Sequence, residues 1–260
     1  MLKNHIKEAL EARGVAIGTW VQMKSPEACE VAAAAGFDFI IIDMEHGTFD
    51  IEGALEMIRA VESQVAAPVL RLPDGSTTAI KKALDAGVTG IIVPGIRTGE
   101  QALQIVQAAK YEPLGKRGAC PSVRATMHGL IDWEKYSEWS DGNTLVWPLI
   151  ENTDAVSNIT QIVSAGVDGI VLGPFDLSMS MGLVGDVDNP DVRKALEHVM
   201  KVSLEHGVDV VAVLFEAEPE EILASAKHWL GLGCRIITAL SDRALLANAY
   251  KNIINRLKEL

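Results

Sequence analysis

A chain of 260 residues, 48% of them apolar and 22% charged, carries enough hydrophobic side chain for a large buried core, which excludes intrinsic disorder. The length fits one α/β barrel of roughly 250 residues, so a single domain over 1–260 is expected. The net charge of −12 repels phosphate backbones and anionic lipid headgroups, and neither nucleic acid nor a membrane surface is an expected partner.

The first apolar run, 15–22, predicts a strand, and the pattern over 25–35 predicts a helix. A short phrase then sets the rhythm: Ala35-Gly36-Phe37-Asp38-Phe39-Ile40-Ile41-Ile42, in which a helix-closing glycine is followed at once by a β-branched run. The phrase returns at 86–93 and 165–172, and more loosely at 232–238. Between these copies the expected order is helix 51–61, strand 68–72, helix 76–86, a strand ending at 93 and helix 99–110. It continues with strand 145–150, helix 154–165, a strand ending at 172, helix 190–206, strand 208–215, helix 218–230 and a final helix over 242–260. Continuous rather than alternating apolar strands suit a parallel sheet covered on both faces. About eight such strand and helix units predict a (β/α)8 barrel; the rival doubly wound sheet offers no reason for eight units and lacks a GxGxxG after its first strand. Residues 113–143, rich in Gly and Pro, break the rhythm and are expected to form an inserted loop of lid or interface type.

Cys29, Cys120 and Cys234 lie far apart, in no metal-binding or disulfide spacing, and read as core filling in a reducing compartment. No apolar run approaches the ~18 residues of a membrane span, and the polar start of the chain does not resemble a secretion signal, so a cytoplasmic location is expected.

Chemistry in such a barrel sits at the carboxyl ends of the strands. There the sequence places Gln22, Asp43-Met44-Glu45-His46-Gly47, Arg71, Glu151, Asp176, Glu216 and Ser241-Asp242. Carboxylates crowded into one mouth call for a cation, and an all-oxygen donor set favours Mg²⁺ or Mn²⁺, with Glu151 and Asp176 as candidate metal ligands. Such a cation with open positions can chelate a 2-oxo acid and make its adjacent methyl acidic. Arg71 would stabilise the developing oxyanion, and His46, oriented by Asp43, would serve as the base.

These residues carry a resemblance. The motifs Asp43-Met44-Glu45-His46-Gly47, Arg71, Lys110-Tyr111-Glu112-Pro113-Leu114-Gly115-Lys116-Arg117-Gly118, Ile150-Glu151 and Gly173-Pro174-Phe175-Asp176-Leu177-Ser178 resemble the metal-dependent pyruvate aldolases. That family is typified by 4-hydroxy-2-oxoheptanedioate aldolase and 2-dehydro-3-deoxyglucarate aldolase. The resemblance implies reversible cleavage of a 4-hydroxy-2-oxo acid into pyruvate and an aldehyde, with Mg²⁺ or Mn²⁺, or another ion such as Co²⁺, as cofactor. It assigns His46 as base, Arg71 as transition-state stabiliser, Glu151 and Asp176 as metal ligands, and the backbone N–H groups of Phe175 and Asp176 as holders of the pyruvate carboxylate. It further assigns Asp85 as a carboxylate that raises the basicity of the histidine. It implies a homo-oligomer, a hexamer built as a trimer of dimers, in which the last helix can exchange between subunits. Leu149 stands where relatives carry Gln, Phe175 replaces a small residue, and the loop beginning at Glu216 differs, all of which bear on the acceptor aldehyde.

Three rivals compete. A Schiff-base aldolase needs a lysine inside the barrel, and Lys24 is the nearest, beyond the first strand's end. An oxaloacetate decarboxylase or CoA-ester lyase would share the metal and the arginine. A non-catalytic barrel that binds oxo acids would leave the convergent polar residues without a purpose.

Overall fold

Glycines that let a helix turn back through a left-handed residue precede several strands of the barrel; Gly36 and Gly87 do so with φ of +103° and +94°. The computed structural model describes residues 3–260. Its strands are β1 (Ala16–Val21), β2 (Phe39–Asp43), β3 (Ala67–Arg71), β4 (Gly90–Val93), β5 (Leu145–Ile150), β6 (Gly169–Leu172), β7 (Asp209–Leu214) and β8 (Ile236–Ser241). All pair in parallel with their sequence neighbours, and β8 pairs with β1, closing a (β/α)8 barrel.

The helices in chain order are α1 (His5–Arg13), α2 (Pro26–Ala34), α3 (Ile51–Glu62), α4 (Thr77–Asp85), α5 (Gly99–Ala109) and α6 (Trp133–Asn143). They continue with α7 (Thr153–Ser157), α8 (Ile159–Val163), α9 (Pro174–Ser180), α10 (Pro190–Glu205), α11 (Pro219–Gly231) and α12 (Asp242–Leu257). Side-chain caps start most of them, with Thr98 and Gln101 forming a reciprocal capping box on α5. Among the described residues no helix is long and apolar enough to cross a membrane.

Two apolar layers hold the fold. Between sheet and helices lie residues such as Ile40, Ile42, Leu70, Met57 and Ile58, all buried. Inside the barrel, Phe39 and Trp147 meet edge to face at 6.0 Å with Ile41, Val69 and Val171 in the same cluster. The space for these rings comes from two glycines: a Cβ on Gly18 would stand 2.3 Å from the Phe39 ring, and one on Gly169 2.8 Å from Trp147 Nε1. Ile6 and Ala9 of α1 join the same cluster, so α1 packs on the barrel interior.

Several elements depart from the expectation. The helix expected over 154–165 breaks into α7 and α8 at Asn158, whose side-chain amide donates to the Arg97 carbonyl. The last helix stops at Leu257, and α1, α6 and α9 are additional. Residues 113–143 contain a 3-10 segment, Arg124–Gly129, and α6. They leave the end of α5 and return to the start of β5, so within one chain they lie at the rim opposite the carboxyl ends of the strands. Lys110 pins this insertion by donating to the carbonyls of Asp141 and Thr144 at 2.9 and 2.8 Å.

Phe39→Ala and Trp147→Ala each open a void that the two glycines cannot fill. Each is expected to cost about 3–5 kcal/mol. Denaturant unfolding checks this, and a loss below about 1 kcal/mol would contradict the packing described.

Candidate active site

The register of the sheet places Asp43, the last residue of β2, opposite Arg71, the last of β3. Both are buried. Arg71 Nε donates to Asp43 Oδ1 at 2.8 Å, and Nη2 donates to Oδ2. Gln22 Nε2 donates to Oδ2 at 2.8 Å, and the backbone N–H groups of Glu45 and His46 donate to Oδ1 at 3.1 and 3.2 Å. Burial by itself would raise the Asp43 pKa, but the hydrogen bonds and charge of Arg71, with Gln22 and the His46 amide, outweigh it and hold the carboxyl below its ordinary value. The expected orienting role of Asp43 therefore acts on the backbone of the turn and not on the imidazole.

The turn is tight. Gly47 N–H donates to the Asp43 carbonyl at 3.0 Å, and a Cβ on Gly47 would stand 2.1 Å from that oxygen, so no side chain fits there. Arg243 clamps it from β8's side, donating to the His46 carbonyl at 3.1 Å and the Gln22 carbonyl at 2.9 Å. His46 is thereby held at the mouth with its side chain 57% exposed.

Arg71 is held on three sides. Its Nη1 lies 3.1 Å from Glu45 Oε2, and its guanidinium carbon sits 4.8 Å from the centre of the Trp20 ring. Glu45 Oε2 is also 3.9 Å from His46 Nε2 and has no hydrogen-bond partner although buried. Burial raises the Glu45 pKa, Arg71 opposes, and Asp43 and Asp176 raise it further. The Glu151 pKa is raised by burial against a backbone hydrogen bond from Gly95, with Glu45 and Asp176 adding to the rise. Glu45, Glu151 and Asp176 thus feel one another's charge.

Neither expected metal ligand is spent on a helix cap. Asn152 caps α7, leaving Glu151 Oε1 to accept from Gly95 N–H at 2.7 Å. Gly173 starts α9 without a side-chain cap, leaving the Asp176 carboxylate in the cavity wall. A Cβ on Gly173 would stand 2.7 Å from Glu151 Cβ, so this glycine lets the start of α9 approach Glu151. The amides of Phe175 and Asp176 lie in the first turn, where a helix offers them no carbonyl.

A cavity of about 410 Å³ opens here, with Gln22, His46, Arg71 and Asp176 on its polar side and Phe175 beside them. Leu149, Leu172 and Val213 supply apolar wall. Among the described lining residues none is a lysine. The Lys24 chain instead packs against Gly53 of α3, where its Cε would meet an added Cβ at 2.9 Å, which leaves the Schiff-base rival without a nucleophile.

One expected member is elsewhere. Asp85 closes α4 at the opposite rim and accepts from Arg117 Nη2 at 3.0 Å, so within one chain it does not reach His46. The carboxylate beside the imidazole is Glu45. Sequence reasoning also passed over Arg243; Glu45's place two residues after Asp43 was the available signal for the first, and nothing local marked the second. Cys29 has its thiol pushed up to about 12 by burial, with Asp242 and Glu30 adding to it, and is no nucleophile.

The model of the HpcH/HpaI aldolase/citrate lyase family matches residues 16–241, from the first strand to the last. The chain belongs to that family. Its members' chemistry is lyase chemistry at a carbon–carbon bond, and this chain is an aldolase-type lyase. It is 33% identical to a 5-keto-4-deoxy-D-glucarate aldolase of Shigella dysenteriae serotype 1 (strain Sd197) over 98% of this chain and 97% of the relative. Among solved structures it is similar to a HpcH/HpaI aldolase/citrate lyase family protein from Burkholderia cenocepacia J2315, with a TM-score of 0.88, 29% identity and coverage of 98% and 100%. It is also similar to the citrate synthase SbnG, with a TM-score of 0.86, 28% identity and coverage of 98% and 97%. The solved structures it resembles thus include both an aldolase/citrate lyase family protein and a citrate synthase.

Arg71→Met strands a buried carboxylate, because Asp43 loses its cation and two of its donors. The expected loss is about 3–5 kcal/mol at neutral pH, partly restored by adding Asp43→Leu. The native Asp43 pKa lies below its unfolded value, so the pair's stabilisation is present above that unfolded value and fades as pH falls through the carboxylate range. Denaturation midpoints against pH read this, and an Arg71→Met protein as stable as the parent at pH 7 would contradict it.

Proposed function

We propose that this lyase cleaves a 4-hydroxy-2-oxo acid reversibly into pyruvate and an aldehyde, with Mg²⁺ or Mn²⁺ as cofactor. The observation that carries the reading is one cavity wall bearing His46, Arg71 and Asp176, with Glu151 in electrostatic contact behind.

The residues fit a hard divalent cation. The donor set is all oxygen, Glu45 Oε2 is buried without a hydrogen-bond partner, and Glu45 and Glu151 are pushed toward protonation by burial and by neighbouring carboxylates. Among the described residues no three His, Cys, Asp or Glu groups converge enough to hold an ion alone. A site of one or two carboxylates with positions left for water and substrate is the usual arrangement for Mg²⁺. Glu151 and Asp176 would hold the ion, which when bound supplies Lewis-acid polarisation of the keto oxygen.

The chain's own groups do the rest. The amides of Phe175 and Asp176 receive the pyruvate carboxylate. Arg71, kept rigid by Asp43, Glu45 and Trp20, faces the oxygen on which negative charge grows, and a donor that needs no reorganisation stabilises that charge most. In the cleavage direction His46 takes the proton of the C4 hydroxyl; the C3–C4 electron pair passes to the pyruvate half as the aldehyde leaves, and a proton returns to C3 to give pyruvate. Glu45 is the carboxylate group that borders the base, its Oε2 lying 3.9 Å from Nε2. The apolar stripe of α12, with Leu245, Leu246, Ile253 and Ile254 exposed, supports a homo-oligomer.

Aldol turnover is expected to disappear on exhaustive chelation and return with Mg²⁺ or Mn²⁺, and Glu151→Gln is expected to weaken the metal's apparent affinity by at least about tenfold. Full turnover in a metal-free preparation would overturn the reading.

A further inference from the structure

One polar group of the cavity has no part in this chemistry. Glu216 follows β7 at its carboxyl end, and its Oε2 is buried without any hydrogen-bond partner. It lines the cavity of about 410 Å³ and also a second one of about 520 Å³, so the side chain stands in the partition between them. It is absent from the groups whose charge moves Glu45 or Glu151, which sets it apart from the carboxylates beside Arg71. Its neighbours in the first cavity, Val213, Phe215 and Leu240, are apolar.

A buried carboxylate oxygen facing a cavity is stabilised by a donor from whatever enters. The cations among the described residues lining the first cavity are Arg71 and, when protonated, His46, and Arg71 is already engaged by Asp43 and Glu45; Arg193 and His228 line only the second cavity. On the side of the first cavity Glu216 therefore offers an acceptor and no free cation.

We propose that Glu216 selects the aldehyde partner: its carboxylate accepts a hydrogen bond from a hydroxyl group of an uncharged hydroxyaldehyde and repels aldehydes that carry their own carboxylate. This rests on the aldolase reading above and names the substrate class for it. In the synthetic direction C3 of the pyruvate enolate attacks the aldehyde carbon. One C–C bond forms, the carbonyl π pair moves to oxygen, and that oxygen takes one proton, with no oxidant or reductant needed. Glu216 touches the acceptor beyond the carbon that reacts, so its effect is on choice and not on enolate formation.

The test compares acceptors matched in length: D-glyceraldehyde against tartronate semialdehyde, and glycolaldehyde against glyoxylate, each with pyruvate and Mg²⁺. kcat/KM is measured for the parent, Glu216→Gln and Glu216→Leu. The parent is expected to favour the hydroxyaldehyde of each pair by roughly tenfold or more. Glu216→Gln, which keeps a hydrogen-bonding group and removes the charge, is expected to narrow that preference about tenfold, mainly through the anionic acceptor. Glu216→Leu is expected to lose about tenfold on the hydroxyaldehydes. Solvent deuterium exchange into the pyruvate methyl, read alongside, should be the same in all three proteins. A parent that favours the acidic acceptors, or a preference unchanged in both variants while exchange persists, overturns the role of Glu216 alone. A parent that neither exchanges nor condenses with any of the four aldehydes overturns the aldolase reading and this inference with it. Should Glu216→Leu fail to fold, Glu216→Gln, nearly identical in shape, decides.

Discussion

The Asp43–Arg71 pair is the constraint on which the mouth of this barrel depends. Removing two charges from water is costly, and a buried pair persists only when nearly every lone pair and proton is matched. Here five N–H donors meet the two oxygens of Asp43, from Arg71, Gln22, Glu45 and His46. Those bonds link the ends of β1, β2 and β3 and fold the next residues back over the carboxylate. The same network that neutralises Asp43 therefore aims Glu45 and His46 into the mouth and presents Arg71 as a fixed cation.

The rest of the site follows from crowding. With Arg71 committed to Asp43 and Glu45, the charge of Glu151 and Asp176 is left without an equal counter-charge from the chain, and both Glu45 and Glu151 are shifted toward the neutral acid. A hard cation removes that frustration, and the chemistry of 2-oxo acids uses the same cation. Two glycines make the closeness possible, Gly47 by letting the turn pass over the Asp43 carbonyl and Gly173 by letting α9 start against Glu151.

Much of this was legible in the amino-acid sequence because parallel barrels are written in a simple code. Glycine-closed helices and β-branched runs such as Ile40-Ile41-Ile42 announce the strands, and the polar residue ending each run announces the mouth. Asp43, His46, Arg71, Glu151 and Asp176 were read as candidates that way. What spacing conceals is which polar residue pairs with which. The resemblance, not spacing, assigned Asp85 to His46, and within one chain Asp85 meets Arg117 at the far rim, while Glu45, two residues from Asp43, lies beside the imidazole. Arg243 went unnoticed because its partners are backbone carbonyls in the loops after β1 and β2, distant in sequence. The insertion at 113–143 carried loop composition yet folds into α6, whose Trp133 and Tyr136 pack on Tyr111 through contacts with no local signature.

The central claim is that this pre-arranged mouth makes the methyl of pyruvate acidic, and proton NMR of pyruvate in D₂O reads that directly. Metal-dependent loss of the methyl signal, abolished by chelation and slowed at least about a hundredfold in His46→Ala, is the result the account predicts. A methyl signal that stays constant with Mg²⁺ and with Mn²⁺, or that exchanges equally fast in His46→Ala, would contradict it.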